Sequence, residues 1–190
     1  HRTGRLRILQ RALERCDVDE YATRRDMADR DAAWNTPEMV EDPATRYDLP
    51  AAPDDFIVAA VDGSHIDVDR HLPARCFLIN TGYAVLTYGK NPSADLDSEP
   101  RLYASDDDLS IRDPLSYRQQ SIDGALLGAK RAVEEIRKLA ELVRDLPNDV
   151  PMLALLDGSL MMLGLAGPAN QAFVLEELVE NGFASALDEL

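Results

Sequence analysis

Two Asp-Gly-Ser triplets are the residues of this chain whose types and positions could do chemistry. One follows the apolar run Phe56–Val61 and carries Asp62, and the other follows Met152–Leu156 and carries Asp157. Each run is too short for a typical helix, so each predicts a buried strand that ends at an aspartate. The glycine after each aspartate allows a sharp backbone turn and leaves room beside the carboxylate. We therefore expect one site built from two distant parts of the chain.

Paired carboxylates of this kind point to a metal site. Two carboxylates close together repel each other, and one of them ordinarily takes up a proton unless a cation intervenes. A site made only of oxygen ligands suits Mg²⁺ or Mn²⁺, and such an ion can activate water and stabilise the leaving oxygen of a phosphodiester. A third acid is available nearby as Glu134, Glu135 or Glu141. The alternative is that each aspartate only caps the turn that follows it.

The intervening chain predicts a meander and a long helix. Cys76–Asn80 and Tyr83–Tyr88 have the composition of strands, and together with the first run they form an antiparallel meander. Ser93–Asp113 is acidic and is predicted to be irregular apart from a short strand near Arg101–Ala104. A helix is predicted from Pro114 to about residue 146, and its apolar stripe consists of Ile122, Leu126, Ala129, Val133, Ile136, Leu139, Ala140 and Val143.

This order of elements brings the two triplets together. A helical crossover favours parallel pairing between the last strand, Met152–Leu156, and the first strand. Parallel neighbours end at the same edge of a sheet, so Asp62 and Asp157 are expected to lie side by side there, where α/β sheets commonly bind ligands. A final helix is predicted over Gln171–Leu190.

The N-terminal part is predicted to be helical and then proline-rich. Arg2–Arg30 has Leu6, Leu9, Leu13 and Cys16 at helical spacing, which indicates one or two amphipathic helices. They either pack on a protein surface or contact DNA through Arg2, Arg5, Arg7, Arg11 and Arg15. Ala32–Asp55 contains four prolines and several acids and is predicted to be a linker, with Trp34 as an anchor.

Two further clusters of acidic residues resemble metal sites in their sequence. His65, Asp67, Asp69 and His71 alternate, so in an extended segment they share one face. A solvated polar face explains the same pattern. Asp106, Asp107 and Asp108 are predicted to lie in a solvated loop.

Composition sets limits on partners. The chain has 190 residues, which is enough for one domain, and a net charge of −15. This charge is not that of a typical nucleic-acid binder, so any DNA contact needs a local arginine patch. Arg112, Arg118 and Arg131 are candidates for phosphate contacts, although for each of them alone a solvated or salt-bridged role is favoured. No apolar run approaches the roughly 20 residues of a membrane span, and the two distant cysteines are expected to stay reduced in a cytoplasm.

The motifs together resemble those of the NurA nuclease family. VDGSHIDVDRH, FLINTGYAVLTYG and LALLDGSL occur in the family's order, and the resemblance runs from Phe56 to Leu190. It implies an α/β fold with a ribonuclease H-like mixed sheet, an antiparallel meander plus a parallel strand, flanked by helices. We therefore expect an N-terminal helical segment and linker over residues 1–55 and a NurA-like nuclease domain over residues 56–190.

The same resemblance implies an activity and partners. It implies an Mn²⁺-dependent (or Mg²⁺-dependent) single-stranded DNA endonuclease and 5′-to-3′ exonuclease that forms a homodimer. It also implies work beside a HerA-type hexameric ATPase in DNA repair, in end resection at double-strand breaks. The family's two aspartates match Asp62 and Asp157. The family's helix glutamate falls within Lys130–Ile136, where Glu135 is favoured, Glu134 is the rival and Glu141 is a third choice.

One departure from the family pattern opens an alternative. The family has further functional residues, including a histidine, after another strand in its C-terminal part. The histidines here are His1, His65 and His71, so we expect the nuclease domain to be C-terminally incomplete. The alternative function is a catalytically incomplete module for dimerisation and ATPase docking. An actin-like ATPase or sugar kinase is disfavoured, because those proteins place a residue between the aspartate and the glycine.

Overall fold

The structure is a computed structural model that describes residues 2–13, 15, 18–28, 40–42, 45–67, 75–160, 162, 165 and 171–190. The chain divides into two compact units, residues 1–52 and residues 53–190. No helix in these described ranges is both long and apolar enough to cross a membrane.

The first unit contains two helices, α1 (Arg2–Leu13) and α2 (Val18–Ala28), as predicted. The side chains of Leu6 and Leu9 are 62% and 60% exposed, so they are not packed into a core. Cys16 and Trp34 lie outside the described residues, and so does most of the predicted linker before residue 45.

The second unit is built on a meander of three long antiparallel strands, β1 (Phe56–Asp67), β2 (Phe77–Tyr88) and β3 (Ser93–Tyr103). The predicted end of β1 at Asp62 is wrong. β1 runs through the whole first Asp-Gly-Ser triplet, because β2 pairs with it from Phe56 opposite Tyr88 to Asp67 opposite Phe77. The same continuous pairing joins the two strands predicted over Cys76–Asn80 and Tyr83–Tyr88 into one.

The prediction that residues 93–113 are mostly irregular is also wrong. β3 pairs with β2 along its whole length, although ten of its eleven residues are exposed. As an edge strand β3 needs no buried apolar face, and an edge tolerates Pro100 and many charges. Its backbone pairing therefore leaves no alternating pattern in the sequence.

A small hairpin and a long helix follow. β4 (Ser110–Arg112) pairs antiparallel with β5 (Gln119–Ser121). The helix α3 (Gly124–Asp145) begins ten residues later than predicted, because the segment after Pro114 forms the hairpin instead. Its predicted apolar stripe is confirmed for the helical positions, and the buried members are Leu126, Val133, Ile136, Leu139 and Ala140.

β6 (Met152–Leu156) pairs parallel with β1, as predicted, and completes the sheet order β3-β2-β1-β6. The prediction that β6 is buried is wrong. This order makes β6 an edge strand, and Leu153 and Leu155 are 53% and 44% exposed. The predicted α/β fold class, a mixed sheet with an antiparallel meander, one parallel pair and flanking helices, is confirmed.

The chain ends in helix, as predicted. α4 (Ala172–Leu175) continues directly into a π-helical segment (Glu176–Ala184) and then α5 (Ser185–Asp188). This helix packs on α3, and its first turn packs on β4. The main core contains residues of the sheet and of both helices, among them Phe77, Ile79, Tyr103, Leu127, Ile136, Val174 and Phe183. A smaller cluster joins Ala59 and Val61 of β1 to Leu139 of α3.

Candidate carboxylate site

The structure places Asp62 and Asp157 on neighbouring strands. The parallel register of β1 and β6 ends at the pair Val61 and Leu156, and each aspartate is the next residue. Both side chains are exposed, and both line one cavity of about 810 Å³. The predicted meeting of the two triplets is therefore confirmed in the backbone.

The glycines of the two Asp-Gly-Ser triplets have different structural roles. Gly158 has φ +122°, so the second triplet makes the predicted turn. Gly63 has no positive φ, and it lies within a paired strand. A Cβ at Gly63 would collide with Glu135 Oε1 and lie 2.9 Å from Cγ and 3.0 Å from Cδ of Glu135. The glycine in β1 therefore serves close approach of a helix carboxylate, not a turn.

Glu135 is the acid of α3 that reaches β1. Glu135 is only 5% exposed, and the backbone N–H of Gly63 donates a hydrogen bond to its carboxylate. Arg131, one helical turn earlier, places Nε 3.1 Å from Glu135 Oε1. Burial, and then the nearby charges of Asp62 and Asp157, raise the pKa of Glu135, although Arg131 and the Gly63 hydrogen bond oppose the rise. Glu135 is thus electrostatically coupled to both aspartates.

The two rival glutamates point elsewhere. Glu134 forms an ion pair with Lys130 at 3.7 Å and lines a cavity with Tyr103. Glu141 lies 3.5 Å from Lys138. Of the three glutamates, Glu135 is therefore the one that meets the first triplet, at Gly63, and its role as a ligand stays a prediction.

The three carboxylates do not share one face of the sheet. Alternation along β1 points Gly63 toward α3 and Glu135, and it points Asp62 to the opposite face. As a result, no group of three Asp, Glu, His or Cys side chains in the described part of the chain is gathered closely enough to hold a metal ion. The donor set itself, three carboxylates beside a glycine that leaves space for one of them, fits a hard divalent cation. The carboxylate ligands are of the right type for such a cation, whereas in this structure their side chains are not arranged as a closed ligand set.

The other candidate clusters are explained by local contacts or are only partly described. His65 is half-buried on the α3 face of β1, and Asp67 is exposed, whereas Asp69 and His71 lie outside the described residues. In the acidic loop, Asp107 forms a 2.7 Å ion pair with Arg112, and Asp108 accepts a hydrogen bond from Ser105 Oγ at 2.7 Å.

The arginines considered for phosphate binding are all engaged with acids. Arg112 pairs with Asp107, Arg118 lies 3.1 Å from Asp113, and Arg131 contacts Glu135. The sequence reasoning missed this last contact, although the spacing of four residues between Arg131 and Glu135 is the usual one for helical ion pairs.

Comparison with known families identifies the relationship. The family model described as NurA domain matches residues 56–190, which includes every strand of the sheet and all three carboxylates. No curated protein and no solved structure matches the chain. Since the match covers more than half of the chain, this protein belongs to the NurA family of nucleases.

Proposed function

We propose that the chain is a metal-dependent DNA nuclease in which Asp62, Glu135 and Asp157 hold Mn²⁺ or Mg²⁺. The observation that carries the proposal is the parallel register of β1 and β6, which brings Asp62, within β1, beside Asp157, the first residue after β6. Two exposed carboxylates at this position are free to take a ligand from solvent. A divalent cation bound there supplies activation of water and stabilisation of charge at the phosphodiester.

The three carboxylates occupy different positions and have different roles in the proposed site. Asp62 and Asp157 both line the open cavity, so a ligand from solvent can reach both of them. Glu135 is positioned from the opposite side, where Gly63 leaves space for it and donates a hydrogen bond to it. The negative charges of the two aspartates act on Glu135, and a cation bound by these carboxylates would relieve that repulsion.

Membership of the NurA family supports the finer assignments. On this basis we propose cleavage of single-stranded DNA as an endonuclease and as a 5′-to-3′ exonuclease. The biological setting is end resection at double-strand breaks, with a homodimer of this chain working beside a HerA-type ATPase in the cytoplasm.

The proposal is tested by cleavage of labelled single-stranded DNA in Mn²⁺. Asp62→Asn and Asp157→Asn keep the size of each side chain and remove a charged ligand, so both are expected to abolish cleavage while the thermal unfolding curve stays cooperative. Asp97→Asn is the matched control, because Asp97 lines the same cavity but lies on β3, which pairs with neither β1 nor β6. Cleavage at the wild-type rate by either of the first two variants contradicts the assignment.

A catalytically incomplete docking module is the second candidate. The observation that favours it is that the described acids do not form a closed ligand set, together with the net charge of −15. This candidate predicts binding to a HerA-type ATPase with no cleavage at any Mn²⁺ concentration. Cleavage that depends on Asp157 rules it out.

A further inference from the structure

A second cleft of the domain is lined by β3 and α3. It consists of two cavities, one of about 570 Å³ and one of about 410 Å³. Both cavities are lined by Arg101 and Tyr103 of β3 and by Glu134 and Arg137 of α3, so they meet at these four residues. Together they form the Tyr103 cleft. The three carboxylates of the candidate site line neither cavity.

Tyr103 is a buried polar side chain at the place where the two cavities meet. It is 2% exposed, and its ring stacks on Phe77 with the ring centres 4.8 Å apart. Its hydroxyl has no hydrogen-bond partner in the described part of the chain. Burial, and then the nearby charge of Glu134, raise the pKa of Tyr103 to about 12, although Glu134 does not have the geometry of a hydrogen bond to the hydroxyl. The hydroxyl is therefore a protonated donor at neutral pH, and a buried donor without an acceptor is costly unless a ligand supplies one.

The acids of the cleft are largely neutralised by their neighbours. Four of the six form an ion pair with a base that also lines the cleft: Glu99 and Glu141 with Lys138, Glu134 with Lys130, and Asp107 with Arg112. Of the other two, Asp108 accepts a hydrogen bond from Ser105 Oγ, and Glu177 is exposed. These pairs leave few carboxylates in the cleft to repel an anion.

Arg101 and Arg137 are the bases of the cleft that have no acidic partner within the ranges that the structure describes. The guanidinium carbon of Arg101 lies 4.9 Å from the centre of the Tyr103 ring. Arg137 donates only a long hydrogen bond, of 3.4 Å, to the backbone oxygen of Asn181. Guanidinium groups bind phosphate oxygens through paired N–H donors. Two such groups beside a buried hydroxyl donor therefore fit an anion with several acceptor oxygens.

We propose that the Tyr103 cleft binds a phosphomonoester, the terminal phosphate of a nucleotide or of a DNA strand. Arg101 and Arg137 donate to the phosphate oxygens from the open side of the cleft, and the Tyr103 hydroxyl donates from its buried side. The whole cleft is lined by five bases and six acids, so it does not attract a long polyanion. A single compact phosphate is the charge that two arginines can hold. This inference does not rest on the proposed function, since the three carboxylates of the candidate site take no part.

Calorimetric titration of the full chain tests the proposal, with EDTA present so that no metal-dependent cleavage occurs. Thymidine 5′-monophosphate and inorganic phosphate are expected to bind, whereas thymidine is not, because it lacks the phosphate. Arg137→Gln is expected to weaken binding of the monophosphate at least about tenfold, since charge-assisted hydrogen bonds are lost. Arg144→Gln is the matched control, because Arg144 is also an exposed arginine of α3 but lines neither cavity. It is expected to leave the affinity unchanged.

Two further variants separate ligand binding from a structural role. Tyr103→Phe keeps the ring and removes the donor, so it is expected to weaken binding of the monophosphate about fivefold. Glu134→Gln removes the charge beside the hydroxyl and releases Lys130 from its ion pair. It is therefore expected to tighten binding, a direction that simple damage to the fold does not produce. Weaker binding by Glu134→Gln overturns the proposal.

The remaining outcomes also decide. Absence of phosphate binding, equal affinity for thymidine and its monophosphate, or equal weakening by Arg137→Gln and Arg144→Gln overturns the proposal. Arg101 and Arg137 are exposed, so Arg101→Gln and Arg137→Gln test it even if Tyr103→Phe does not fold. Tighter binding of a 5′-phosphorylated oligodeoxynucleotide than of its 5′-hydroxyl counterpart assigns the cleft to the end of a DNA strand. Equal binding of the two oligonucleotides, with the monophosphate bound, assigns it to a free nucleotide.

Discussion

The close approach of Glu135 to Gly63 makes a prediction that can be worked out from the structure. In Gly63→Ala, the new Cβ collides with Glu135 Oε1 and lies 2.9 Å from Cγ and 3.0 Å from Cδ. Glu135 is only 5% exposed and is held by Arg131, so it has little room to retreat. Overpacking of this kind costs about 1–3 kcal/mol, and the removal of a strand glycine returns about 0.5–1 kcal/mol.

We therefore expect the free energy of unfolding of Gly63→Ala to fall by about 1–2 kcal/mol, which for a chain of this size lowers Tm by roughly 2–8 °C. Urea unfolding measures the change directly, and an unchanged m-value shows that only stability has moved. Gly82→Ala is the matched control, because Gly82 is the register partner of Asp62 and its added Cβ would meet Asp62 O at an ordinary 3.5 Å.

The same substitution in a Glu135→Ala background tests whether contact with Glu135 causes this loss of stability. There the colliding atoms are gone, so Gly63→Ala is expected to cost nothing further, and the two changes are strongly non-additive. Two results would refute the conclusion that Gly63 leaves space for Glu135. One is a Gly63→Ala variant as stable as wild type, and the other is an equal loss of stability with and without the Glu135 side chain.

Three further predictions concern single residues. The pKa of Glu135 in the folded chain is raised above its ordinary 4.5, so between the unfolded and folded values the native state binds more protons. Stability of the cation-free protein is therefore expected to fall as pH rises through that window, and the difference between wild type and Glu135→Gln in urea titrations at several pH values reports it; a difference independent of pH contradicts this. Gly158 has φ +122°, so Gly158→Ala is expected to cost about 1–3 kcal/mol by thermal unfolding, and a neutral effect refutes the turn. Gly128 lies in α3 with nothing within 4 Å of an added Cβ, so Gly128→Ala is expected to raise the free energy of unfolding by about 0.5–1 kcal/mol, and a loss shows unseen crowding.

The sequence alone predicts the meeting of Asp62 and Asp157 well, for a physical reason. Short apolar runs separated by a long amphipathic helix leave one reasonable topology, the parallel pairing of the two runs, and this pairing fixes where the next residue of each strand lies. The preference for Glu135 over Glu134 and Glu141 comes from family resemblance and not from periodicity; Glu135 contacts Gly63 of the first triplet, and its role as a ligand stays a prediction.

The features that sequence reasoning missed depend on partners that no local pattern shows. Gly63 looks like a turn glycine, and only the full-length pairing with β2 reveals that it is a contact glycine. Ten of the eleven residues of the edge strand β3 are exposed, so its sequence does not need the alternation of a half-buried strand. α3 begins at Gly124 and not at the predicted Pro114, because residues before Gly124 belong to the β4–β5 hairpin. The helical pattern of the sequence does not reveal this hairpin.

The most direct test of the central claim is Mn²⁺ binding by Asp62 and Asp157. Titration of Mn²⁺ followed by electron paramagnetic resonance is expected to show a bound ion in the wild-type chain and in Asp97→Asn. The same titration is expected to show binding lost, or weakened at least tenfold, in both Asp62→Asn and Asp157→Asn. Wild-type affinity in either of these two variants would contradict the account, because the ion would then be held elsewhere.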